Sequence, residues 1–428
     1  MEMQVMRSEL QALRAGHVFD GVDVRGPGMV LVEDGVIRDV DFTGAAPPEH
    51  AVVTDFGPDS WLLPGLIDAH VHLCWDGTED AVAHVSSDDR ETVLKTARAA
   101  AATTLRDGVT TVRDVGDRDY LSLALREQMS PTERPEIVAA GPPITTRGGH
   151  CHFLGGEAEG SDALRAAVRE RAERGCELVK VMASGGNVTP GSHSLHQQYD
   201  RSDLRLIADE AHRHGLRAAA HAHAVQAVTD VVEAGFDTVE HFSFLTPEGV
   251  ELRQEVLDEV VRRGTFVSMT VGMLPGMPVP VPAIAARFAA IIEVMSKIIA
   301  SGARVVPGTD AGVGPGKPHG IYPHALTHLA ELGMPARGVL RAATSEAAEA
   351  VDRAGSKGVL RPRADADLPG ARQLTPRRHR RRHRRPRGVP SRPPGPLTPA
   401  LAPDSARYEL RTLRKDRSTC ARPAGQPS

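Results

Sequence analysis

Leu62-Leu63-Pro64-Gly65-Leu66-Ile67-Asp68-Ala69-His70-Val71-His72 is an apolar run that ends in two histidines. The run predicts a buried strand, and alternate side chains of a strand point to the same face. His70 and His72 are therefore expected side by side at the end of that strand. Two imidazoles in this arrangement can bind one divalent metal ion, so this stretch bears on both fold and function.

From residue 62 onward, apolar strands alternate with Ala-rich helical stretches, which is typical of a parallel α/β fold. Eight strands are predicted, at residues 62–73, 109–115, 136–142, 178–184, 217–223, 238–244, 265–271 and 304–310. Helices are predicted at residues 91–107, 161–174, 202–214, 224–234, 248–263 and 283–301. Eight such repeats predict a (β/α)8 TIM barrel over residues 62–355, with its active site at the carboxyl ends of the strands. A doubly wound open sheet is the alternative, but no Gly-rich phosphate loop follows the first strand.

Residues 1–61 have a different pattern, with short apolar runs separated by Gly, Asp and Pro turns. The Glu33-Asp34-Gly35 step lies between two of these runs and is typical of a β-hairpin. We therefore predict a small N-terminal β-sandwich unit that precedes the barrel.

The composition is that of a globular protein, with 41% hydrophobic and 25% charged residues. The net charge of −4 argues against nucleic acid as the main partner of the folded part. The four cysteines are scattered without a C-x-x-C pair, which favours reduced thiols. No signal peptide and no run of about 20 apolar residues is found. A cytoplasmic location is expected.

Seven side chains with metal-binding or bridging chemistry fall at or near the ends of predicted strands: His70, His72, Lys180, His221, His223, His241 and Asp310. In a barrel these strand ends meet at one mouth, so the seven groups could fill two metal sites. Only six of the 51 basic residues are lysines, so a lysine inside an apolar strand is notable. A neutral Lys180 can add carbon dioxide and become a two-oxygen bridging ligand. The alternative for Lys180 is an ion pair with Glu177 or Glu240.

Four further residues are candidates for substrate contact. His150 and His152 lie in the loop after the third strand, and the alternative for both is simple loop polarity. Tyr199 follows the fourth strand and could hydrogen-bond a substrate carbonyl, or could instead be a packing residue. Arg113 ends the second strand and could bind a substrate carboxylate, although a pair with an acid of the barrel is an equal alternative.

These residues and the motifs around them resemble the amidohydrolase superfamily of metal-dependent hydrolases. The resemblance is to the branch related to imidazolonepropionase, with Xaa-Pro dipeptidases and ochratoxin-type amidases. It spans residues from about 10 to 365. It rests on the block ending in His72, the strand with Lys180, and the motifs Gly108-Val109-Thr110-Thr111-Val112-Arg113-Asp114, Ala220-His221-Ala222-His223, Val239-Glu240-His241 and Pro307-Gly308-Thr309-Asp310.

The resemblance implies a centre of two divalent ions, most simply zinc, bridged by carboxylated Lys180. It implies that His70 and His72 bind the more buried ion and that His221 and His241 bind the second. Asp310 would lie at the first ion as general acid and base. His223 would face the substrate and polarise its carbonyl. His221 and His223 share one strand face, so the choice between them as ligand stays open.

The function implied is hydrolysis of the C–N amide bond of a small substrate, an Xaa-Pro dipeptide or an N-acyl amino acid, by hydroxide formed between the ions. A cyclic-amide hydrolase of the imidazolonepropionase type is one alternative, and it would need one metal and no bridging lysine. A catalytically silent barrel that acts as a binding protein is another. The expected partner is a small-molecule amide. Membrane and nucleic acid are not expected, and homo-oligomer formation is left open.

Members of this superfamily usually end in strands that complete the small sandwich. Residues 356–368 resemble the start of that return, but an arginine run and Pro-rich sequence then fill residues 369–428. This composition predicts a disordered tail. A frameshift or sequencing error is one interpretation, and a true basic tail that contacts RNA or anionic surfaces is the other. In both cases strands near residues 17–37 are expected to lack partners.

Overall fold

The computed structural model describes residues 9–278 and 282–368, and the predicted tail at residues 369–428 lies outside the described residues. The strands within the described residues are β1 (Gln11–Ala15), β2 (His17–Phe19), β3 (Val24–Arg25), β4 (Gly28–Glu33), β5 (Val36–Asp41), β6 (Val52–Asp55), β7 (Trp61–Leu62), β8 (Leu66–Val71), β9 (Val109–Asp114), β10 (Glu136–Ala139), β11 (Leu178–Met182), β12 (Arg217–Ala224), β13 (Thr238–Leu245), β14 (Phe266–Thr270) and β15 (Arg304–Gly308).

The helices in the same residues are α1 (Ala81–Ser87), α2 (Arg90–Arg106), α3 (Leu121–Gln128), α4 (Ser161–Arg174), α5 (Arg201–Arg213), α6 (Val225–Ala234), α7 (Gln254–Arg263), α8 (Pro282–Ala285), α9 (Phe288–Ala300), α10 (Tyr322–Glu331), α11 (Ala336–Ala342) and α12 (Ser345–Ala350). None of the described helices is both long enough and apolar enough to cross a membrane.

The eight strands predicted from residue 62 onward are present as β8 to β15, and they pair in parallel. One sheet has the order β10-β9-β8, and the other has the order β11-β12-β13-β14-β15. Isolated parallel bridges join Val71 to Ala311 and Ile144 to Val181, so the two sheets contact each other at two places. Parallel strands have their carboxyl ends at one edge of the sheet, and the predicted ligands lie on these strands or directly after them.

The helices pack on the sheet because their apolar residues recur at the helical period. In α5, Leu204, Ile207, Ala208 and Ala211 are buried at spacings of three and four residues, which places them on one face. This face belongs to the same core cluster as the outward-facing side chains of β11 and β12. Asp200 caps the first turn by accepting a hydrogen bond from the Asp203 amide at 2.9 Å.

Two predicted helices differ from the observed ones. The helix predicted at residues 248–263 begins only at Gln254, because Thr246 and Gly249 form a turn whose backbone groups bond each other in both directions. The helix predicted at residues 283–301 is divided into α8 and α9 at Arg287. The backbone of Arg287 (φ −106°, ψ 0°) departs from helical geometry.

The first seven strands form two small sheets, with orders β5-β4-β1-β6 and β3-β2-β7. The predicted hairpin is present between β4 and β5, where Asp34 and Gly35 both have positive φ, as a type I′ turn requires. β5 is at the end of its sheet, yet it is not unpaired. The Ile37 amide donates to the Ala364 carbonyl at 2.8 Å, and the Arg363 amide donates to the Ile37 carbonyl at 2.8 Å. For β5, the expectation of a missing partner is therefore wrong.

The segment at residues 356–368 is also held by a cluster of charges around the buried Lys357. Nζ of Lys357 lies 2.6 Å from the Asp367 carboxylate, 2.8 Å from Asp365 and 3.1 Å from Glu136 in β10. Arg353 adds a second contact to Glu136 at 2.6 Å. Lys357 is 4% exposed, so this cluster ties the segment to the parallel sheet from inside the protein.

Replacing Lys357 with Met is expected to lower the free energy of unfolding by about 3 kcal/mol, because it removes the cation that lies 2.6 Å from the buried Asp367 carboxylate and one of the two cations beside Glu136. Lys297→Met is the matched control, since its ion pair with Glu293 is exposed and should contribute less than about 0.5 kcal/mol. Urea unfolding of both variants measures the difference. Equal stability of the two variants would contradict the role given to the cluster.

The effect of Lys357→Met should depend on pH in a defined direction. Burial raises the pKa of Glu136, but the charges of Lys357 and Arg353 outweigh it and lower that pKa from 4.5 to about 2. A lowered carboxyl pKa stabilises the fold above pH 4.5, and that stabilisation is lost as pH falls through about 2. The stability difference between wild type and variant should therefore shrink between pH 4.5 and 2 in urea titrations.

Candidate metal centre

The first cluster of metal-binding side chains is made by His70, His72 and Asp310. Oδ1 of Asp310 lies 3.3 Å from Nε2 of His70 and 3.3 Å from Nε2 of His72. Both histidines are buried; His70 lies on β8 and His72 directly follows that strand. Asp310 follows β15, and its amide donates to the His70 carbonyl at 2.8 Å. The three potential donor atoms therefore lie close together, within 4.8 Å of one another.

The local backbone explains how Asp310 reaches this position. The buried carboxylate of Asp68 accepts hydrogen bonds from the Thr309 amide at 3.0 Å and the Thr309 hydroxyl at 2.6 Å, which fixes the turn before Asp310. A Cβ at Gly308 would come within 2.5 Å of the Cβ of His70, so only glycine permits this approach. Asp310 itself has φ 57°, a strained value of the kind that clusters at functional sites.

The hydrogen bonds of the two histidines determine which ring nitrogen is available. Nδ1 of His70 lies 2.7 Å from the Glu240 carboxylate, and Nδ1 of His72 lies 3.1 Å from the Gly116 carbonyl. Both partners only accept, so each Nδ1 carries a hydrogen and a neutral ring has its lone pair on Nε2. Two lone pairs then face a carboxylate oxygen at 3.3 Å. Such a meeting of acceptors requires a cation or added protons between them.

Glu240 is a functional residue that the sequence analysis considered only as a partner for Lys180. It is fully buried and joins His70 to Arg113, whose guanidinium lies 2.7 Å from Oε1. Burial raises the pKa of Glu240, but Arg113 and the hydrogen bond from His70 outweigh it and hold that pKa well below its usual range. A carboxylate behind a metal-binding imidazole orients the ring and raises its basicity. The sequence did contain an indication of this role, because Glu240 is a charged residue inside an apolar, buried strand.

Arg113 does not contact the cavity, which corrects its assignment as a substrate-binding residue. Its guanidinium donates to the Ala69 carbonyl at 2.6 Å, to the Thr238 hydroxyl at 2.9 Å and to Glu240. The side chain is 1% exposed and lies beneath the candidate ligands. The alternative, a pair with an acid of the barrel, is what the structure has.

Replacing Glu240 with Gln is expected to weaken binding of the first metal ion by 10- to 100-fold, because His70 loses its orienting carboxylate. It should also lower the free energy of unfolding by about 3 kcal/mol, because Arg113 would be buried without a counter-charge. Competition with a chelator and urea unfolding measure the two effects. Glu177→Gln is the control: Glu177 pairs with Arg126 away from the cavity, so metal affinity should be unchanged there. A Glu240→Gln protein with wild-type metal affinity would contradict this role.

The second cluster of metal-binding side chains is made by His221, His223 and His241. His221 and His223 lie on β12, and His241 lies on β13 with its ring 4.6 Å from that of His221 and 4.5 Å from that of His223. His241 has φ 68°, a second strained position at a candidate ligand. The structure thus brings together the residues that the sequence placed at the ends of the fifth and sixth predicted strands.

The histidines of the second cluster are neutral. Burial first, and then the proximity of other histidines, lower the pKa of His221 and His241 well below 6.5. Burial likewise lowers the pKa of His223 to about 4. Nε2 of His221 donates to the Gly185 carbonyl at 3.1 Å, which leaves Nδ1 of that ring with the lone pair. Neutral imidazoles are the form that binds metal ions. His223 is the least buried of the three, which suits a side chain that faces substrate.

Lys180 lies on β11 and lines the same cavity. Among the described residues, no hydrogen bond or ion pair of its Nζ is found, and the two acids considered as its partners are bound to arginines instead. Burial is the main cause that lowers the pKa of Lys180, from 10.5 to about 8. A buried amine that loses its proton this easily has the chemistry needed for carboxylation.

A cavity of about 290 Å³ opens over both clusters. His150 lines it, with its ring 4.8 Å from that of His221 and its backbone amide bound to Gln198 at 2.5 Å. Burial lowers the pKa of His150 to about 3, so the ring is neutral. His150 therefore stays a candidate for substrate contact, and the structure places it beside the candidate ligands.

Two other predicted substrate contacts are not at the cavity. The hydroxyl of Tyr199 donates to the Ala158 carbonyl at 2.7 Å, and the ring is 3% exposed within the main apolar core. Nδ1 of His152 is bound to the Gly149 carbonyl at 3.0 Å, and its ring contacts Phe153. Neither residue is part of the cavity wall. Tyr199 is thus a packing residue, and His152 holds its own loop.

Lys317 is a cavity residue that the sequence analysis did not assign. It lies in the loop after β15, and its Nζ donates to the Thr309 carbonyl at 2.8 Å and to the Thr270 carbonyl at 3.4 Å. Thr309 directly follows β15, and Thr270 is the last residue of β14. The ammonium of Lys317 therefore links the ends of these two strands beside Asp310.

The donor set fits two divalent cations. One group offers two imidazoles and a carboxylate, the other offers neutral imidazoles, and an unpaired lysine lies in the same cavity. Nitrogen and carboxylate donors of this kind suit zinc and similar ions.

Comparisons with known proteins give a family match and several similar proteins. The model of the family described as "Amidohydrolase family" matches residues 61–369. An uncharacterised protein of Mycobacterium bovis is 29% identical over 319 residues, or 72% of this chain and 78% of that protein. An ochratoxinase of Aspergillus niger is 26% identical over 222 residues, or 45% of this chain and 46% of its own length. The crystal structure of an Xaa-Pro dipeptidase with methionine bound in its active site matches with a TM-score of 0.73 at 26% identity, covering 84% of this chain and 93% of that one.

Proposed function

This chain belongs to the amidohydrolase family of hydrolases that act on amide and peptide bonds, and on that premise we propose that it hydrolyses the C–N bond of a small amide with the help of two divalent cations. The observation that carries the proposal is the convergence of two donor clusters and one unpaired lysine on a single cavity. Substrate and cations would then meet at the carboxyl ends of the parallel strands.

We assign His70, His72 and Asp310 to one cation and His221 and His241 to the other. Carboxylated Lys180 would bridge the two, and zinc is the most suitable metal for these donors. The low pKa of Lys180, about 8, supports carboxylation because only the neutral amine adds carbon dioxide. The fixed Nδ1 hydrogen bonds of His70 and His72 support ligation through Nε2.

The cations, when bound, supply Lewis-acid activation of water and of the substrate carbonyl. The chain's own residues then manage orientation and proton transfer. The carboxylate of Asp310 accepts a proton from the attacking water and delivers it to the leaving nitrogen, because an unprotonated amine leaves poorly. The ring of His223, half-exposed to the cavity and held by Ser243 at 3.0 Å, donates to the developing oxyanion from its other nitrogen.

Hydrolysis of a panel of amides tests the proposal, with Xaa-Pro dipeptides and N-acyl amino acids among its members because of the relatives' names. The protein is assayed as purified, after removal of metal by a chelator, and after zinc is returned. We expect amine release that disappears on chelation and returns with zinc. Amine release that persists after chelation, or none from any amide by the zinc-loaded protein, would contradict the proposal. Hydrolysis confined to cyclic amides, with one metal per chain, would instead favour the imidazolonepropionase type.

We also propose three features of organisation. The eight parallel strands close into a (β/α)8 barrel, which the two bridges between the sheets support. Residues 1–61 and 356–368 act as one β unit beside that barrel at residues 62–355, supported by the hydrogen bonds between β5 and the return segment. A reducing, cytoplasmic location is supported by Cys74, Cys151 and Cys176, which are all free thiols.

A further inference from the structure

One wall of the cavity is made by apolar side chains that have no part in metal binding. Phe288, Ile291 and Met295 are spaced by three and four residues on α9, so they lie on one face of that helix. Ile284 of α8 and Met273 after β14 extend the same wall. We call these five residues the apolar wall.

The side chains of the apolar wall are accessible to a ligand and are not fully buried in the apolar core. Phe288 is 38% exposed although it lines the cavity, and Ile284, Met295 and Met273 are only half-buried. Covering exposed aromatic and thioether groups with an apolar group lowers the free energy, because apolar surface is removed from water. Methionine side chains also adapt to ligand groups of different shape. The wall is continuous with the cavity over both donor clusters, so its occupant is part of the molecule that meets those clusters.

The cavity is poor in groups that could hold a substrate carboxylate. Among the described residues its lining includes two cationic side chains, Lys180 and Lys317. Lys180 is assigned to the cations, and the ammonium of Lys317 is already bound to the carbonyls of Thr270 and Thr309. Arg113, the predicted carboxylate partner, is buried behind His70 and bound to Glu240. In the proposed function the cations serve the water and the amide carbonyl, so a substrate carboxylate would leave water without another partner there. That desolvation costs several kcal/mol, so a charged substrate is disfavoured.

We infer that the substrate is an uncharged amide with an aryl or bulky alkyl group on the apolar wall, in preference to a dipeptide or N-acyl amino acid with a free carboxylate. This inference rests on the proposed function and narrows its substrate class. It makes Phe288 a specificity-determining residue.

A matched pair of substrates isolates the carboxylate. N-acetyl-2-phenylethylamine and N-acetyl-L-phenylalanine share the acetyl group, the amide and the ring, and differ only in the carboxylate. We expect the zinc-loaded enzyme to have a kcat/KM at least tenfold higher for the uncharged member. N-acetylethylamine, which lacks the ring, should have a kcat/KM lower by about 10- to 100-fold, since burial of a ring contributes at this level. A higher kcat/KM for the carboxylate, with the preference lost in Lys317→Met, would overturn the inference while leaving amide hydrolysis intact.

Variants of α9 test the wall itself. Phe288→Ala is expected to raise KM for N-acetyl-2-phenylethylamine about tenfold with little change in kcat. Because Phe288 is exposed, the substitution should leave the fold intact. Glu293→Gln is the control on the same helix, since this carboxylate is exposed and pairs with Lys297. An unchanged KM in Phe288→Ala would overturn the assignment of Phe288.

Calorimetric binding of the same two probes to metal-free protein separates this inference from the proposed function. We expect the uncharged amide to bind more tightly than the carboxylate, and about tenfold more weakly to Phe288→Ala. This result would support the inference even if no turnover were found. Tighter binding of the carboxylate, or no binding of the uncharged amide at millimolar concentration, would overturn it even if amide hydrolysis were established.

Discussion

Asp310→Asn protein is expected to keep both cations and to lose kcat by about 10³-fold. Asn retains an oxygen that can stay near the first cation, but its amide cannot take a proton from water. General acid–base groups contribute about 10² to 10⁴ in rate, and Asp310 is assigned both the acceptance and the delivery of the proton. Its position is fixed by the backbone, through the hydrogen bond from the Asp310 amide to the His70 carbonyl at 2.8 Å and the hydrogen bonds from Thr309 to Asp68. The substitution should therefore alter chemistry more than geometry.

Metal content by plasma mass spectrometry and steady-state kinetics on the best amide of the panel measure this outcome. Asp258→Asn is the control, because that carboxylate lies on α7 and accepts a hydrogen bond from Gln254 of the same helix at 2.8 Å. A wild-type kcat in Asp310→Asn would remove Asp310 from the proton transfer. Loss of metal together with activity would show that the carboxylate acts mainly as a ligand.

Lys180→Ala protein is expected to bind at most one cation per chain and to lose at least 10³-fold in kcat/KM. The bridging ligand joins the two donor clusters. Without it, the second cation would be bound by neutral imidazoles alone, with no anionic ligand. Short carboxylic acids such as propionate should restore part of the activity, because they fit the volume of the removed side chain and supply two oxygens. Such rescue would distinguish a lost ligand from a damaged fold.

Two further substitutions sharpen the test of Lys180. Lys180→Arg keeps a positive charge but cannot form a carbamate, so it should be as inactive as Lys180→Ala and should not respond to propionate. Lys297→Ala removes an exposed lysine and should have no effect. Two cations and normal turnover in Lys180→Ala would contradict the bridging role.

Much of the fold was predictable because it depends on local patterns. The alternation of apolar strands and helical stretches has a period that can be counted, and all eight predicted strands are present as β8 to β15. The placement of His70, His72, His221, His241 and Asp310 followed from the strand ends alone, because parallel strands align their carboxyl ends. The start of helix α7 was harder to predict from the sequence, because it depends on a turn involving Thr246 and Gly249.

The remaining site residues were not predictable because their roles depend on partners far away in the sequence. Arg113 could bind an acid or a substrate, and only the position of Glu240, 127 residues along the chain, decides between them. The Tyr199 hydroxyl is bound to the Ala158 carbonyl, and the Lys317 ammonium is bound to carbonyls at two strand ends. No sequence motif indicates either contact. The pairing of residues 363–366 with β5 joins opposite ends of the described chain, and such contacts leave little mark on local composition.

Diffraction from zinc-soaked crystals of the full chain, recorded at the zinc absorption edge, tests the central claim most directly. The account predicts two anomalous peaks in one cavity, one beside His70 and His72 and one beside His221 and His241, with density for a carboxylated Lys180 between them. The absence of both peaks, zinc bound only elsewhere on the surface, or an unmodified Lys180 turned away from both clusters would contradict it.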